Sequence, residues 1–369
     1  MTKRSGRQGH PTIHDVAAEA DVSRATAARA LGGYGRVSEE ARGRVNAAAV
    51  RLGYRPNTLA RSMITGTTKT IGVVVADIQL AFFGQAVRGI SDAAHAEGFE
   101  VILANTDEDV AEERAAVDVL VGKRVDGLIV APADPAETDH LQEALNRGIP
   151  ILLLDRGAVG LRCDVVLVDN QRAARNAVDH LIRLGHRRVA IVIEGTSALP
   201  ADQILTAHLE AAGAMPSALR EAGWAAAMRG AGLPVTDDLI RRARYDRADA
   251  CAAVAAAIGG PDRPTALLTT DETMTLGAID ALLGAGLRVP GDISIIAFDD
   301  SPWTTIVQPP LTVVAQPVYE LGAMATRRLL ARLAGDDGPP RIVVLETSLM
   351  VRGSTGPPPG LPGVGRLRA

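Results

Sequence analysis

The sequence predicts an α/β protein in two parts. An N-terminal helix-turn-helix headpiece of three helices, followed by a hinge helix, precedes a two-lobed core of parallel sheets. Three observations predict it. Residues 12 to 52 carry helical apolar spacing broken by capping residues. From Ile71 onward, short continuous apolar runs alternate with helical segments, the pattern of strands buried on both faces. This second region is some 300 residues long, too much for one sheet, so it divides into similar lobes.

The first helix starts at Thr12, with Asp15 completing a capping-box-like pair. Ile13, Val16, Ala17 and Ala20 follow as one apolar stripe. Asp21-Val22 forms the corner and Ser23 caps the second helix. On that helix Ala27, Ala30 and Leu31 point one way; Arg24, Ala25, Ala28 and Arg29 point the other, a basic face with no large apolar side chain. Ser38 caps a third helix with Val45, Ala48, Ala49 and Leu52 as its stripe, and Gly53-Tyr54-Arg55-Pro56 ends it. Pro56 then allows a short helix over Asn57 to Ile64, followed by the linker Thr65-Gly66-Thr67-Thr68. In the body, strands are expected at Ile71–Ala76, Val101–Ala104, Gly127–Ala131, Ile151–Leu154, Val165–Val168, Val189–Ile193, Thr265–Thr270 and Ile293–Phe298. Residues 1 to 10 read as a disordered basic arm, and the Pro- and Gly-rich residues 353 to 369 as a disordered tail.

Charge separates along the chain. Residues 1 to 69 hold 12 Lys and Arg against 5 Asp and Glu, a net +7, while the remaining 300 carry a net −11. A basic head seeks polyanions and an acidic body stays off them. Arg24, Arg29, Arg36, Arg42, Arg44, Arg51, Arg55 and Arg61 lie within ordered-looking segments rather than in a solvated tail, which points to nucleic acid. Cys163 and Cys251 give no disulfide framework, and no secretory signal or apolar membrane run is present, so a cytoplasmic, nucleoid-associated protein is expected. Enzyme motifs are missing: there is no Gly-x-Gly-x-x-Gly after a strand, no phosphate loop and no Gly-x-Ser-x-Gly. The seven His show no ligand spacing, so no metal and no cofactor are expected.

Taken together, these segments resemble the LacI family of bacterial transcription regulators (LacI/GalR-type). Thr12-Ile-His-Asp-Val-Ala-Ala-Glu-Ala is close to the family's first helix, and Val22-Ser-Arg-Ala-Thr-Ala-Ala-Arg-Ala-Leu looks like its recognition helix. Val37-Ser-Glu-Glu-Ala-Arg matches the start of its third helix, and Leu52-Gly-Tyr-Arg-Pro-Asn-Thr-Leu-Ala-Arg-Ser-Met its hinge. The body adds Lys123-Arg-Val-Asp-Gly-Leu-Ile-Val, His180-Leu-Ile-Arg-Leu-Gly-His-Arg-Arg-Val-Ala and Gly286-Leu-Arg-Val-Pro-Gly-Asp-Ile-Ser-Ile-Ile-Ala-Phe-Asp-Asp. The resemblance runs from about Pro11 to Ser354. It implies a headpiece over 11–56, a hinge helix and linker over 57–69, and a periplasmic-binding-protein-like core over 70–352. Lobe 1 is then expected at about 70–169 and 302–332, and lobe 2 at about 171–300 and 340–352. The chain would cross between lobes near Asn170, Ser301 and Leu333, with the strand Thr312–Gln316 in the first lobe and Ile342–Thr347 in the second.

By the same resemblance the chain is a sequence-specific regulator, more readily a repressor, that binds a palindromic operator in double-stranded DNA as a homodimer or tetramer. A small molecule, a sugar being the commonest family answer, would switch it from the interlobe cleft. The alternative is a solute-binding receptor of the same two-lobed fold without operator function. Arg29 is the candidate for direct readout, since a guanidinium can bond guanine O6 and N7 together. Arg24 and Ala25 occupy positions where the family varies its preference, and Thr12, Ser23 and Thr26 suit phosphate contacts. In the hinge, Met63 stands at the position of the family's minor-groove wedge, Ala60 allows close approach, and Asn57 and Arg61 are further DNA contacts.

For the effector, Asp155 and Asp299 end strands, where carboxylates face a ligand crevice. The resemblance adds Arg220, Tyr245, Asp271, Phe82 and Phe83. Phe82 and Phe83 either stack on a ligand ring or pack the core; Asp271 either lines the cleft or caps the helix that follows. Between Gly195 and Arg220 the chain exceeds the family's usual spacing by about ten residues, an anomaly of the kind that often marks function. Just before Arg220, where the family supplies polar residues, stand Ala214, Met215 and Pro216.

Overall fold

The computed structural model describes residues 11–54, 66–195, 215–260 and 262–360. The chain divides into two units, Met1–Lys69 and Thr70–Ala369. The hinge positions Asn57, Ala60, Arg61 and Met63 lie outside the described residues, as do the basic arm and Ala214.

The first unit contains α1 (Ile13–Glu19), α2 (Arg24–Gly32) and α3 (Glu39–Leu52). Each starts where the sequence places a cap. Asp15 N donates to Thr12 Oγ1 while Thr12 N donates to Asp15 Oδ2, closing the capping box. Thr26 N donates to Ser23 Oγ at 3.1 Å, and Ala41 N to Ser38 Oγ at 3.3 Å. Asp21 takes a left-handed backbone, φ 49°, which turns the chain sharply between α1 and α2. Val16, Ala27, Val45 and Ala48 are fully buried and knit the three helices together.

The second unit is two sheets of one topology. The first carries β1 (Thr70–Val75), β2 (Glu100–Asn105), β3 (Gly127–Val130), β4 (Ile151–Leu154) and β5 (Asp164–Val168), with helices α4 (Ala81–Ala96), α5 (Val110–Gly122) and α6 (Asp139–Asn146) between the first four. The second carries β6 (Val189–Glu194), β7 (Ile240–Ala243), β8 (Ala266–Thr269), β9 (Ser294–Phe298) and β10 (Thr312–Ala315), linked by α8 (Pro216–Gly230), α9 (Arg247–Ile258) and α10 (Glu272–Gly284). Helix α7 (Asn170–Arg183) precedes β6, and α11 (Val318–Leu333), β11 (Ile342–Leu345) and β12 (Ser348–Met350) complete the chain. The strand orders, β11-β5-β4-β3-β1-β2 and β12-β10-β9-β8-β6-β7, are equivalent. All neighbours are parallel except β12, which runs antiparallel to β10. Each order reverses beside the first strand of its lobe, which opens a crevice at the carboxyl ends of the strands.

Three expectations are corrected. Strand β10 stays in lobe 2, parallel to β9 with Thr312 opposite Ile296, and β11 joins lobe 1 beside β5. The crossings therefore fall at Asp169, at Gln316–Pro317 and at Glu346–Thr347, not at Ser301 and Leu333. The physical reason lies in the β9–β10 connection: Trp303 and Leu311 pack into the lobe 2 core and hold that connection beside its own sheet. Helix α11 does return to lobe 1. Gly322 faces Ala86 O of α4 and Gly89 faces Tyr319 O of α11 so closely that a Cβ at either would collide with the opposing carbonyl.

Of the expected tail, residues 353–360 are described and pack against lobe 2, a correction to the reading as disordered, while 361–369 lie outside the described residues. Ser354 is fully buried and donates its hydroxyl to Ile295 O at 2.7 Å, while buried His186 donates Nε2 to Gly356 O at 2.9 Å. Strand β7 was not foreseen, since its sequence Ile-Arg-Arg-Ala is an edge strand with half-buried arginines at its centre. No helix among the described residues is long and apolar enough to cross a membrane.

Candidate functional site

The headpiece presents one polar face. Thr12, Ser23, Arg24 and Ala25 are exposed, with Thr26 and Arg29 half-buried beside them, while Ala27 and Ala30 turn inward. The 3.6-residue period thus puts every described DNA-contact candidate outside the core. Arg29 does not extend freely: its Nε donates to Ala25 O at 3.2 Å, which lays the side chain along α2. A two-pronged bond to a guanine edge then falls to the terminal Nη1 and Nη2 atoms. Arg51 is occupied within the headpiece, paired with Glu19 at 3.1 Å. Arg36, Arg42 and Arg44 are exposed.

In the second unit, a cavity of about 830 Å³ lies between the lobes at the carboxyl ends of their strands. This is a size suited to a small molecule. Its lining includes all seven expected effector residues: Phe82, Phe83, Asp155, Arg220, Tyr245, Asp271 and Asp299. Asp155 follows β4 and Asp299 follows β9, equivalent positions in the two lobes. Each takes a left-handed backbone, φ 70° and φ 73°, and each donates its amide to the adjacent strand, at Val166 O and Val314 O. Asp107 and Glu108, also on the lining, are left-handed too, so four of the seven non-glycine residues of positive φ among the described residues meet here. Strain gathered in this way points to a functional site.

Arg220 joins several parts of lobe 2. From α8 its Nε donates to Asn170 Oδ1 at 2.8 Å, its Nη1 donates to Thr270 O, and its guanidinium lies 4.2 Å from the centre of the Phe298 ring. Asn170 is the first residue after the first interlobe crossing. Asp271 has both of the roles open to it: it caps α10, accepting from Met274 N at 2.9 Å, and it lines the cleft. Phe82 and Phe83 also combine their two readings, with ring centres 5.1 Å apart and edge to face, Phe83 buried in the lobe 1 core and both on the cavity wall.

Burial governs the electrostatics. Desolvation raises the Asp155 carboxyl, opposed by Arg156 and Arg220; it raises Asp299, opposed by Arg220. Glu194 is raised by burial and by the facing Glu108, and Asp271 is pushed up to about 7 by burial and by Glu194. The Tyr245 phenol is raised by burial. Among the described residues no cluster of His, Cys, Asp and Glu is arranged to hold a metal ion.

Sequence reasoning missed several lining residues. Glu194 ends β6 and Gln316 follows β10, so the rule that found Asp155 and Asp299 applies to them equally. Arg156 carries no such signal. It is buried, donates Nη2 to Glu108 Oε1 at 2.9 Å, and reaches Met215 Sδ in lobe 2 at 3.3 Å. Met215 and Pro216 thus line the cleft at the positions where the sequence departs from the polar residues of the LacI-type pattern.

Comparison with known proteins agrees with this geometry. Residues 12–57 match the family described as bacterial regulatory proteins, lacI family, and residues 178–355 match the periplasmic binding protein-like domain. Catabolite control protein A of Priestia megaterium is 34% identical over 344 residues, covering 93% of this chain and 99% of that protein. The lac repressor dimer bound to operator and the anti-inducer ONPF superposes with a TM-score of 0.79 at 27% identity, covering 94% of this chain and 100% of that chain. A transcriptional regulator CelR–cellobiose complex superposes with a TM-score of 0.67 at 28% identity, again over 94% and 100%.

Proposed function

The chain belongs to the LacI family of bacterial regulatory proteins, transcriptional regulators and not enzymes, and from that premise we propose that it represses transcription from a palindromic operator as a homodimer, released by a sugar bound between its lobes. The observation that carries the effector reading is the convergence on one cavity of Asp155, Asp299, Arg220 and aromatic walls from both lobes. Carboxylates held at strand ends and a guanidinium carried by α8 suit hydroxyl groups, and Phe82 offers an apolar wall to a ring. That the CelR relative is a complex with cellobiose supports a sugar.

The DNA reading rests on the capped α2 with its exposed Arg24 and Ala25 and the adjoining Arg29. The operator dimer of the lac repressor supports two-fold pairing on DNA. A two-fold pair of headpieces reads a palindrome because protein and site share their symmetry. The hinge residues Asn57, Ala60, Arg61 and Met63 are assigned the minor groove at the operator centre. A regulator of this kind works in the cytoplasm at the nucleoid.

Switching is a population shift. A ligand held by both lobes favours one lobe arrangement over the other, and only the preferential binding moves the equilibrium. Arg220 is placed to transmit it: the group that would grip ligand hydroxyls is bonded to Asn170 at the first crossing. A gel-shift assay on palindromes upstream of the chain's own gene tests the reading. Retarded DNA at a specific palindrome, released by a sugar, is expected. Tight sugar binding with no shift at any palindrome in low salt would favour a receptor instead.

A further inference from the structure

The cleft walls are more acidic than their own cations offset. Each lobe contributes four carboxylates to the described lining, against three guanidiniums in all. Two of those three are committed: Arg244 makes two bonds to Asp249, at 2.7 and 2.9 Å, and Arg156 bonds Glu108 at 2.9 Å. Arg220 is left to face Asp155, Glu194, Asp271 and Asp299 at once, with its Nε and one Nη1 N–H given to Asn170 and Thr270.

Among the described lining residues, two buried side-chain polar atoms lack a hydrogen-bond partner. Arg156 is 5% exposed, and its Nε is ion-paired with Asp155 Oδ2 at 3.6 Å, beyond hydrogen-bond distance. Gln316 donates Nε2 to Asp299 at 2.7 Å, which leaves its Oε1 as a buried acceptor without a donor. A ligand that completes the site must supply an acceptor on the lobe 1 side and donors on the lobe 2 side. It must also add positive charge where buried carboxylates face each other across the opening.

Resting on the effector reading above, we propose that the cleft selects a sugar-sized polyol bearing a protonated amine, an amino sugar in class, with its ammonium among Glu194, Asp271, Asp299 and Gln316. Its hydroxyl oxygens accept from Arg156. The three carboxylates around the ammonium come from the ends of β6, β8 and β9 in lobe 2 while the hydroxyls reach Arg156 in lobe 1, so the ligand bridges both lobes and its charge offsets the repulsion between Glu108 and Glu194 that opposes their approach. The same repulsion excludes anionic sugars.

Calorimetric titration of the full-length protein at pH 6.5 tests this. The probes are the 2-amino-2-deoxy forms of glucose, galactose and mannose, their neutral parents, their N-acetyl derivatives and the matching uronic acids. At least one amine is expected to bind ten-fold or more tighter than its parent and its N-acetyl derivative, with no uronic acid binding. Glu194→Gln and Asp299→Asn, which keep shape and remove charge, should each reduce that preference at least three-fold. A neutral parent or a uronic acid binding as tightly as the amine overturns the charge inference while leaving a sugar effector in place. An amine preference that survives both variants places the ammonium elsewhere and overturns the assignment. Failure of every probe overturns the inference and the sugar reading together.

Discussion

Arg29 donates Nε to a backbone carbonyl, which leaves its terminal nitrogens for the base edge proposed for it, so that role is separable from the phosphate contacts proposed for Ser23 and Thr26. Arg29→Ala is expected to lower the operator-to-random affinity ratio ten- to hundred-fold, about 1–3 kcal/mol, with weak salt-sensitive binding retained. An unchanged ratio in competition binding would refute the readout role. A second residue-scale prediction concerns Asp271, whose carboxyl is pushed up to about 7 by burial and Glu194. A carboxyl raised in the folded state binds a proton that the unfolded chain has already released, so stability falls as pH rises through that value. Between pH 6.5 and 8 the loss from this group is about 1 kcal/mol, or ~2 °C in Tm for a core of this size. Asp299, Glu194, Arg220 and Tyr245 face it and set its background. Asp271→Asn, which can still cap α10, should flatten the Tm-against-pH curve over that window in thermal denaturation; an unchanged slope would show that Asp271 does not titrate there.

At the scale of elements, helices α4 and α11 approach through Gly89 and Gly322, each against the other helix's carbonyl. Gly322→Ala therefore gains helix propensity but drives a methyl into Ala86 O, and a net loss of about 2–4 kcal/mol is expected from chemical denaturation. Gly230→Ala, where a Cβ meets nothing within 4 Å, serves as the control and should cost nothing measurable. Much of this scale was legible in the sequence. Thr12, Ser23 and Ser38 announce helix starts because short polar side chains satisfy free backbone amides, and Ile151–Leu154 announces a strand because both faces are buried. What was not legible is which sheet a strand joins. Thr312–Ala315 and Ile342–Leu345 are both short and mainly apolar, and only the packing of Trp303 and Leu311 and the pairing beside β5 assign them. The site followed the same division. Asp155 and Asp299 were found by their place at strand ends, whereas Arg156 belongs to the cleft through partners far apart in sequence, Glu108 and Met215.

At the scale of the whole molecule, the proposed function joins a DNA-binding headpiece to a ligand cleft. In the proposed switch, the coupling runs through groups that touch both the cleft and crossing segments: Arg220 through Asn170, and Asp299 through Gln316 beside the second crossing. Replacing Arg220 by Ala together with Asp299→Asn is expected to preserve operator binding in the absence of effector and to abolish release by it, a loss of at least ten-fold in the effector's influence on DNA affinity. Normal release by that double variant would move the ligand to another site. The most direct test of the central claim is a fluorescence-anisotropy titration of the full-length protein on its operator, with and without a ligand identified by calorimetry. Two chains per palindrome are expected, with an operator affinity that falls at least ten-fold when the cleft is filled. Operator binding that is indifferent to a saturating cleft ligand would contradict it.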